Sequence, residues 1–115
     1  MPKTPSGLRP DTAPVAVIQT VVRLGANIAT ARVNRQWRQA DLAVKAGLTR
    51  QVVIRIEEGK LGVGIGAYVA ALWALGLHQD LANVAGPERD VEGQTLAAAR
   101  RGERVRPPTE LSDDF

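Results

Sequence analysis

Residues 39–59 read QADLAVKAGLTRQVVIRIEEG, and this stretch decides the fold. A first helix over 39–46 is followed by Gly47, a residue suited to the positive φ of a tight turn. Thr49 is a favourable N-cap for a second helix, and Gly59 ends it. The positions predicted to face the core are Leu42, Ala43, Ala46, Leu48, Val53 and Ile56. The spacing therefore predicts two short helices joined by a tight turn.

The second of these helices, at about 49–58, has the length and side chains to lie in the major groove of DNA. With its apolar positions inward, its basic and amide side chains face outward. Arginine reads guanine, glutamine reads adenine, and valine contacts the methyl group of thymine. Polar groups at helix N-termini hold phosphate oxygens. The predicted DNA-binding residues are Arg38, Gln39, Thr49, Arg50, Gln51, Val52, Arg55 and Lys60.

The net charge of +3 hides an asymmetry along the chain. Residues 20–60 contain eight basic and three acidic side chains, whereas residues 61–115 contain five basic and eight acidic ones. A localised positive surface is the electrostatic footprint of a protein that binds a phosphate backbone. A solvated helix face accounts for the same charge equally well, so the charge alone does not decide the function.

Apolar periodicity and the distribution of proline and glycine predict three segments: a disordered arm over 1–14, a DNA-binding domain over 15–85, and a C-terminal extension over 86–115. The extension is predicted to contain a helix at about 89–101 and then a flexible tail. Other predicted helices run from Val15 to about Arg35, from Ala67 to Leu75 with Tyr68, Val69, Leu72 and Leu75 inward, and from about Gln79 to Val84.

The 39–59 stretch resembles the Xre/Cro family of helix-turn-helix regulators. The matching positions are Gln39, Leu42, Ala43, Ala46, Gly47, Leu48, Thr49, Val53, Ile56, Glu57 and Gly59. The resemblance covers about residues 22–77 and implies an all-α, five-helix repressor-like fold. Arg38 and Gly64 depart from the family pattern, which has Ser or Thr as the helix cap at both places, and Ile54 stands where a small polar residue is common.

The sequence that follows narrows the resemblance to HipB-like antitoxins, which are encoded beside HipA-like kinase toxins. The segments that carry it are 70–77, 80–82, 87–90 and 104–106. It implies a homodimer that binds double-stranded operator DNA, represses its own operon and binds the toxin. A protein-interaction inhibitor of a toxin with secondary DNA binding, and a phage-type repressor without a toxin, are alternatives.

Apolar patterning continues past the five-helix segment, and a self-complementary dimer interface explains it. The predicted interface residues are Leu77, Leu81, Val84, Val91 and Leu96. Trp37 and Trp73 are interpreted as core anchors and Glu57 as structural. The arginines between Arg100 and Arg106 suit a solvated helix end, a DNA-backbone contact or a toxin-docking element, and their pattern slightly favours the first of these roles.

The residue inventory argues against several classes of protein. The chain has no cysteine and one histidine, His78, so no thiolate nucleophile and no cluster of metal ligands can be assembled. Gly62, Gly64 and Gly66 lack the strand and the lysine of a phosphate-binding loop. The longest apolar runs fall short of the roughly 20 residues of a membrane span. We therefore expect a cytoplasmic protein, nucleoid-associated when bound to DNA, with no enzymatic activity, metal or cofactor.

Overall fold

A computed structural model describes residues 8–103 of the chain. Within this range the protein contains six α-helices, one 3-10 turn at Pro87–Arg89 and no strand, which confirms the all-helical prediction. The helices are α1 (Val15–Asn34), α2 (Gln39–Ala46), α3 (Arg50–Glu58), α4 (Ile65–Leu75), α5 (His78–Ala82) and α6 (Val91–Glu103). No helix in this range is both long and apolar enough to cross a membrane. The predictions for 1–7 and for 104–115 lie outside the described residues.

The described chain divides between Leu81 and Ala82 into two compact units. The first unit contains α1 to α4, and its core is formed where α4 packs against α1, α2 and α3. The core side chains are Ile28, Leu42, Ala43, Val53, Ile56, Tyr68, Ala71, Leu72 and Leu75. Burial of this apolar surface is the main force that holds α2 and α3 in place.

Helix α1 crosses the end of α3 at two glycines. A Cβ atom on Gly25 would overlap the carbonyl oxygen of Ile56 and lie 2.9 Å from the backbone nitrogen of Gly59. A Cβ on Gly59 would lie 2.5 Å from the Cα of Val22. Since these neighbours are backbone atoms that side-chain rotation cannot move, both positions require glycine for the two helices to approach so closely.

The turns on either side of α3 follow the sequence prediction. Gly47 and Gly59 have φ values of 72° and 73°, in the left-handed region that glycine adopts without strain. The side chain of Thr49 accepts a hydrogen bond from the backbone nitrogen of Val52 at 3.2 Å, so Thr49 is the N-cap of α3. The prediction of two short helices joined by a tight turn is therefore confirmed.

The boundaries of three predicted helices differ from the structure by one or two residues. Helix α4 begins at Ile65 rather than Ala67, α5 spans His78–Ala82, and α6 spans Val91–Glu103 rather than 89–101. The later start of α6 has a local cause: the carboxylate of Asp90 accepts a hydrogen bond from the nitrogen of Gly93 at 3.0 Å. A Cβ on Gly93 would overlap this carboxylate, so a glycine at position 93 leaves room for the cap by Asp90 at the start of the helix.

Two core predictions on α4 are wrong. Trp73, interpreted as a core anchor, is 59% exposed, and Val69, predicted to face inward, is 36% exposed. The side chains of α4 that do reach the core, among them Tyr68 and Leu72, lie on the other face of the helix. The interpretation of Trp37 is confirmed, since this residue is half-buried and packs against the core.

Candidate nucleic-acid interface

The outward face of α3 carries the side chains that the sequence predicts to read DNA bases. Arg50, Gln51 and Arg55 are exposed, while Val53 and Ile56 on the opposite face are fully buried. Arg50 and Gln51 occupy the first turn, and Arg55 lies one turn after Gln51. Because the buried residues fix the rotation of α3 about its own axis, the three polar side chains project together into solvent.

Cationic side chains flank α3 on both sides in sequence. Lys60 follows the C-cap of α3 and is exposed, as is Arg38 before α2. Within residues 8–103, Arg50, Arg55 and Lys60 form no ion pair with a carboxylate. Their charge is therefore available to an anionic partner. Arg38 instead contacts Asp41 at 3.4 Å, an exposed pair that water screens strongly.

Asp41 caps the start of α2, where Arg38 stands in place of the Ser or Thr cap of the family pattern. Its carboxylate accepts a hydrogen bond from the backbone nitrogen of Arg38 at 2.8 Å, at the start of α2. This bond, followed by the contact with the Arg38 guanidinium, lowers the pKa of Asp41 below its usual value. Half of a capping box thus replaces the Ser or Thr side chain of the family pattern.

A largely buried ion pair joins the last turn of α1 to the last turn of α3. Arg32 donates from Nε to Glu57 Oε2 at 2.7 Å and from a terminal nitrogen to Oε1 at 3.0 Å. The two side chains are only 13% and 7% exposed. The hydrogen bond to Glu57 raises the pKa of Arg32 above its ordinary value. This bidentate geometry fixes α3 relative to α1, which agrees with the structural role expected of Glu57.

The same carboxylate also holds α2. The amide nitrogen of Gln39 donates to Glu57 Oε1 at 3.0 Å, and Arg32 donates to the backbone oxygen of Trp37 at 2.9 Å. Lys45 lies over the ring of Trp37, 4.8 Å from its centroid. Gln39 was predicted to contact phosphate, but the structure gives its amide nitrogen a partner inside the protein. The junction of α1, α2 and α3 is therefore cross-linked by one connected set of polar contacts.

Two of the arginines that make the 20–60 segment basic are hydrogen-bonded within the protein. Arg32 is committed to Glu57, and Arg35 donates to the backbone oxygens of Ala31 and Leu75 at 2.8 and 3.0 Å. Arg35 thereby ties the end of α1 to the end of α4. The pair of Arg32 and Glu57 is neutral, and the count over 20–60 already includes both residues, so the net positive charge of the segment is unchanged. Arg50, Arg55 and Lys60 are its exposed cations on or next to α3.

Val52 and Ile54 differ from the remaining outward residues of α3. Val52 was predicted to face out and contact a thymine methyl, yet it is half-buried and packs against the core. Ile54 is half-buried as well. An α-helix turns through about 100° per residue, so residues beside the buried Val53 fall at the edge of the contact. The prediction of a fully outward Val52 is wrong, whereas those for Arg50, Gln51 and Arg55 are confirmed as to exposure.

The five residues predicted for a dimer interface do not share one environment. Leu77 and Leu81 are half-buried and pack against the core of the first unit, so their apolar surface is largely covered. Val84, Val91 and Leu96 are 66%, 70% and 60% exposed. The sequence analysis missed a different exposed apolar set on α4, consisting of Ile65, Val69 and Trp73. Their spacing of four residues places them on one face of the helix. Tyr68 and Leu72 form a second row at the same spacing, so the sequence alone does not select the exposed row.

Comparisons with protein-family models, curated proteins and solved structures found no match for this chain. The resemblance to Xre/Cro regulators, and the narrower resemblance to HipB-like antitoxins, therefore remain predictions. The geometry of α3 and its surroundings is the basis on which a function is assigned below.

Proposed function

We propose that this protein is a sequence-specific DNA-binding repressor that inserts α3 into the major groove of duplex DNA. In this proposal α2 and α3 form the helix-turn-helix of a repressor-like fold. Arg50, Gln51 and Arg55 contact base edges, and Lys60 and Arg38 contact the phosphate backbone. No catalytic activity, metal or cofactor is part of the proposal.

The observation that carries the proposal is the contrast between the two faces of α3. One face carries three exposed polar side chains, and the other is anchored by two fully buried apolar residues and by the ion pair between Glu57 and Arg32. A reading helix must hold its side chains at a fixed register, because each bidentate contact with a base edge depends on geometry. Val53, Ile56 and Glu57 hold α3 at such a register.

The experiment measures binding of the full chain to the duplex upstream of its own gene and to random duplex, at 150 mM salt. We expect the upstream duplex to bind at least about 1,000-fold more tightly, which is the lower end of the usual range of specificity ratios. Arg50→Ala and Gln51→Ala should each weaken specific binding by about 1–3 kcal/mol and relax the preference at one base pair. Lys60→Ala should weaken binding to all sequences alike.

A matched control is Arg89→Ala, because Arg89 is also an exposed arginine but lies in the second unit. It should leave the specific affinity unchanged. If the wild-type protein bound the upstream duplex no better than random duplex, sequence-specific repression would be excluded. A loss of affinity in Arg89→Ala equal to that in Arg50→Ala would place the DNA contact elsewhere.

We further propose that the protein acts as the antitoxin of a HipBA-like module, with the second unit as the element that binds the toxin kinase. The supporting observation is that no residue of 82–102 is buried, while Val91 and Leu96 are exposed on α6. A 13-residue helix is marginal in water without packing, so α6 would gain stability from a partner. Co-purification with the kinase encoded next door tests this: Leu96→Asp should release the kinase, and Val44→Asp should not.

A further inference from the structure

Helix α4 carries a row of bulky side chains that nothing in the first unit covers. Ile65, Val69 and Trp73 are 67%, 36% and 59% exposed and follow one another at intervals of four residues. Successive members are rotated by about 40°, so they form one continuous ridge along the helix. We refer to these three residues as the α4 ridge.

No face of α4 carries a charged side chain. Its eleven residues read IGAYVAALWAL, and its most polar group is the hydroxyl of Tyr68, which donates to the backbone oxygen of Lys60 at 3.0 Å. A helix that is apolar all round is normally buried all round. The exposed half of α4 is therefore a surface that water solvates poorly.

We propose that the α4 ridge is the interface through which two copies of this chain form a two-fold symmetric dimer. Small residues, Gly66 and Ala70, lie directly beside the ridge, and both leave the backbone accessible. When two helices cross, the ridge of each fits the groove of the other, and a row of large residues beside a row of small ones is self-complementary.

Charge supports a second copy over a different partner. At a two-fold interface each residue near the axis lies close to the same residue of the other copy, so a charged residue on α4 would repel its counterpart. Helix α4 has no charged residue, and this repulsion is absent. An acidic or basic partner finds no opposite charge on this helix. The face is likewise unsuited to a phosphate backbone, in contrast to the cationic face of α3.

The area of the ridge predicts the strength of the dimer. The exposed parts of the three side chains amount to about 350 Å² of apolar surface, a size typical of functional patches. Two copies would bury about 700 Å² from the ridges alone, and the small flanking residues bring the total toward about 1,000 Å², the lower end of specific interfaces. Interfaces at this end of the range are weak or transient, so we expect a monomer–dimer equilibrium that depends on concentration.

The test is sedimentation of the full chain over a range of concentrations, without DNA. Wild type should pass from monomer to dimer, and Val69→Glu and Trp73→Glu should each raise the Kd at least tenfold. The matched controls are Val44→Glu on α2 and Leu96→Glu on α6, which alter apolar residues that are 81% and 60% exposed. Both controls should dimerise as the wild type does, and circular dichroism shows whether each variant is folded.

A second readout does not depend on a disruptive variant. Trp37→Phe leaves Trp73 as the one indole of the chain, which has two tryptophans. Its fluorescence should shift to shorter wavelength and become less accessible to acrylamide as the concentration rises through the Kd. A shift that was already complete in a monomer would show that the chain's own second unit covers the ridge, and would overturn the proposal.

The remaining outcomes are equally decisive. A chain that stays monomeric throughout, ridge variants that dimerise normally, or loss of the dimer in Leu96→Glu alone would each refute the α4 interface. That the dimer serves to place two copies of α3 on one duplex rests on the proposed function, whereas the interface itself is measured in the absence of DNA. A dimer sensitive to Val69→Glu but unable to bind DNA would therefore support the interface and remove the proposed function.

Discussion

The ion pair between Arg32 and Glu57 provides the most stringent test of how α3 is held. Glu57→Gln keeps the shape of the side chain but removes its charge. The guanidinium of Arg32, only 13% exposed, would then lose its opposite charge and one of its two hydrogen bonds to this side chain, which are 2.7 and 3.0 Å long, because the amide nitrogen cannot accept. Arg32→Met produces the converse defect, a carboxylate that is 7% exposed with one remaining donor, the amide of Gln39.

The expected cost follows from burial. Removal of one member of a buried ion pair costs about 3–5 kcal/mol, because an uncompensated charge stays in a poorly solvated place. Arg32 keeps its bond to the backbone oxygen of Trp37, and neither side chain is wholly buried, so we expect about 3 kcal/mol for each single variant. A small domain is stabilised by only about 5–15 kcal/mol, so each variant should unfold at a much lower urea concentration.

The double variant Arg32→Met with Glu57→Leu distinguishes a charge defect from a packing defect. Apolar side chains of similar volume remove both charges together, so the double variant should lie within about 1 kcal/mol of wild type. The matched control is the exposed pair of Arg9 and Asp11, 3.8 Å apart. A cycle with Arg9→Met and Asp11→Leu should give an interaction energy below about 1 kcal/mol.

The cycle consists of wild type, Arg32→Met, Glu57→Leu and the double variant. Urea unfolding followed by circular dichroism gives their four free energies, provided that the dependence of the free energy on urea concentration has the same slope in all four. Single variants that cost less than about 1 kcal/mol would show that the pair does not hold α3 in place. Additive costs in the double variant would also refute the reasoning, because they would mean that the two charges do not interact.

Three further predictions concern the same unit. Gly25→Ala should lower the free energy of unfolding in urea by about 1–3 kcal/mol or more, because its Cβ meets backbone atoms of Ile56 and Gly59. Gly62→Ala is the control: it has open space around it and should leave the free energy of unfolding nearly unchanged. Thr49→Ala should cost about 0.5–2 kcal/mol through loss of the α3 cap, and the exposed Thr20→Ala on α1 serves as its control. Burial raises the pKa of Tyr68, so stability should be constant below pH of about 10 and fall above it. As Tyr68 is the one tyrosine of the chain, its tyrosinate absorbance should appear at higher pH in the folded than in the unfolded protein.

Local signals in the sequence were sufficient to predict where α2 and α3 begin and end and which face of α3 is buried. Gly47, Thr49 and Gly59 each determine a backbone conformation with few alternatives, and the buried Val53 and Ile56 then set the rotation of α3. Local rules fix such turns because the interactions span only three or four residues. For this reason the exposure of Arg50, Gln51 and Arg55 could be predicted without any knowledge of the rest of the fold.

The orientation of α4 could not be predicted by the same reasoning. Periodicity locates a core face by contrast with a polar face, and α4 has no charged residue to mark one. Tyr68 and Leu72 on one side and Val69 and Trp73 on the other were equally acceptable core residues. Only the three-dimensional contacts with α1, α2 and α3 select between them.

The partners of individual arginines could not be predicted from the sequence for a related reason. Arg32 and Arg35 count as positive charge in any sequence sum, but their partners, Glu57 and the backbone oxygen of Leu75, lie 25 and 40 residues away. Pairing over such distances depends on the tertiary structure, so the sequence does not show which arginines are bonded within the protein. The sequence likewise gives Asp41 only as an acidic residue, whereas in the structure its carboxylate caps α2 beside Arg38.

The chemical contrast between α3 and α4 makes the two proposed contacts separable by salt. Binding through Arg50, Arg55 and Lys60 displaces counterions from the duplex, so the affinity for DNA should fall steeply as salt rises. Contact through Ile65, Val69 and Trp73 involves no charge, so dimerisation should be unchanged or strengthened, most clearly in sulfate. A dimer that weakened with salt as steeply as DNA binding does would place charged residues at its interface, and the α4 ridge has none.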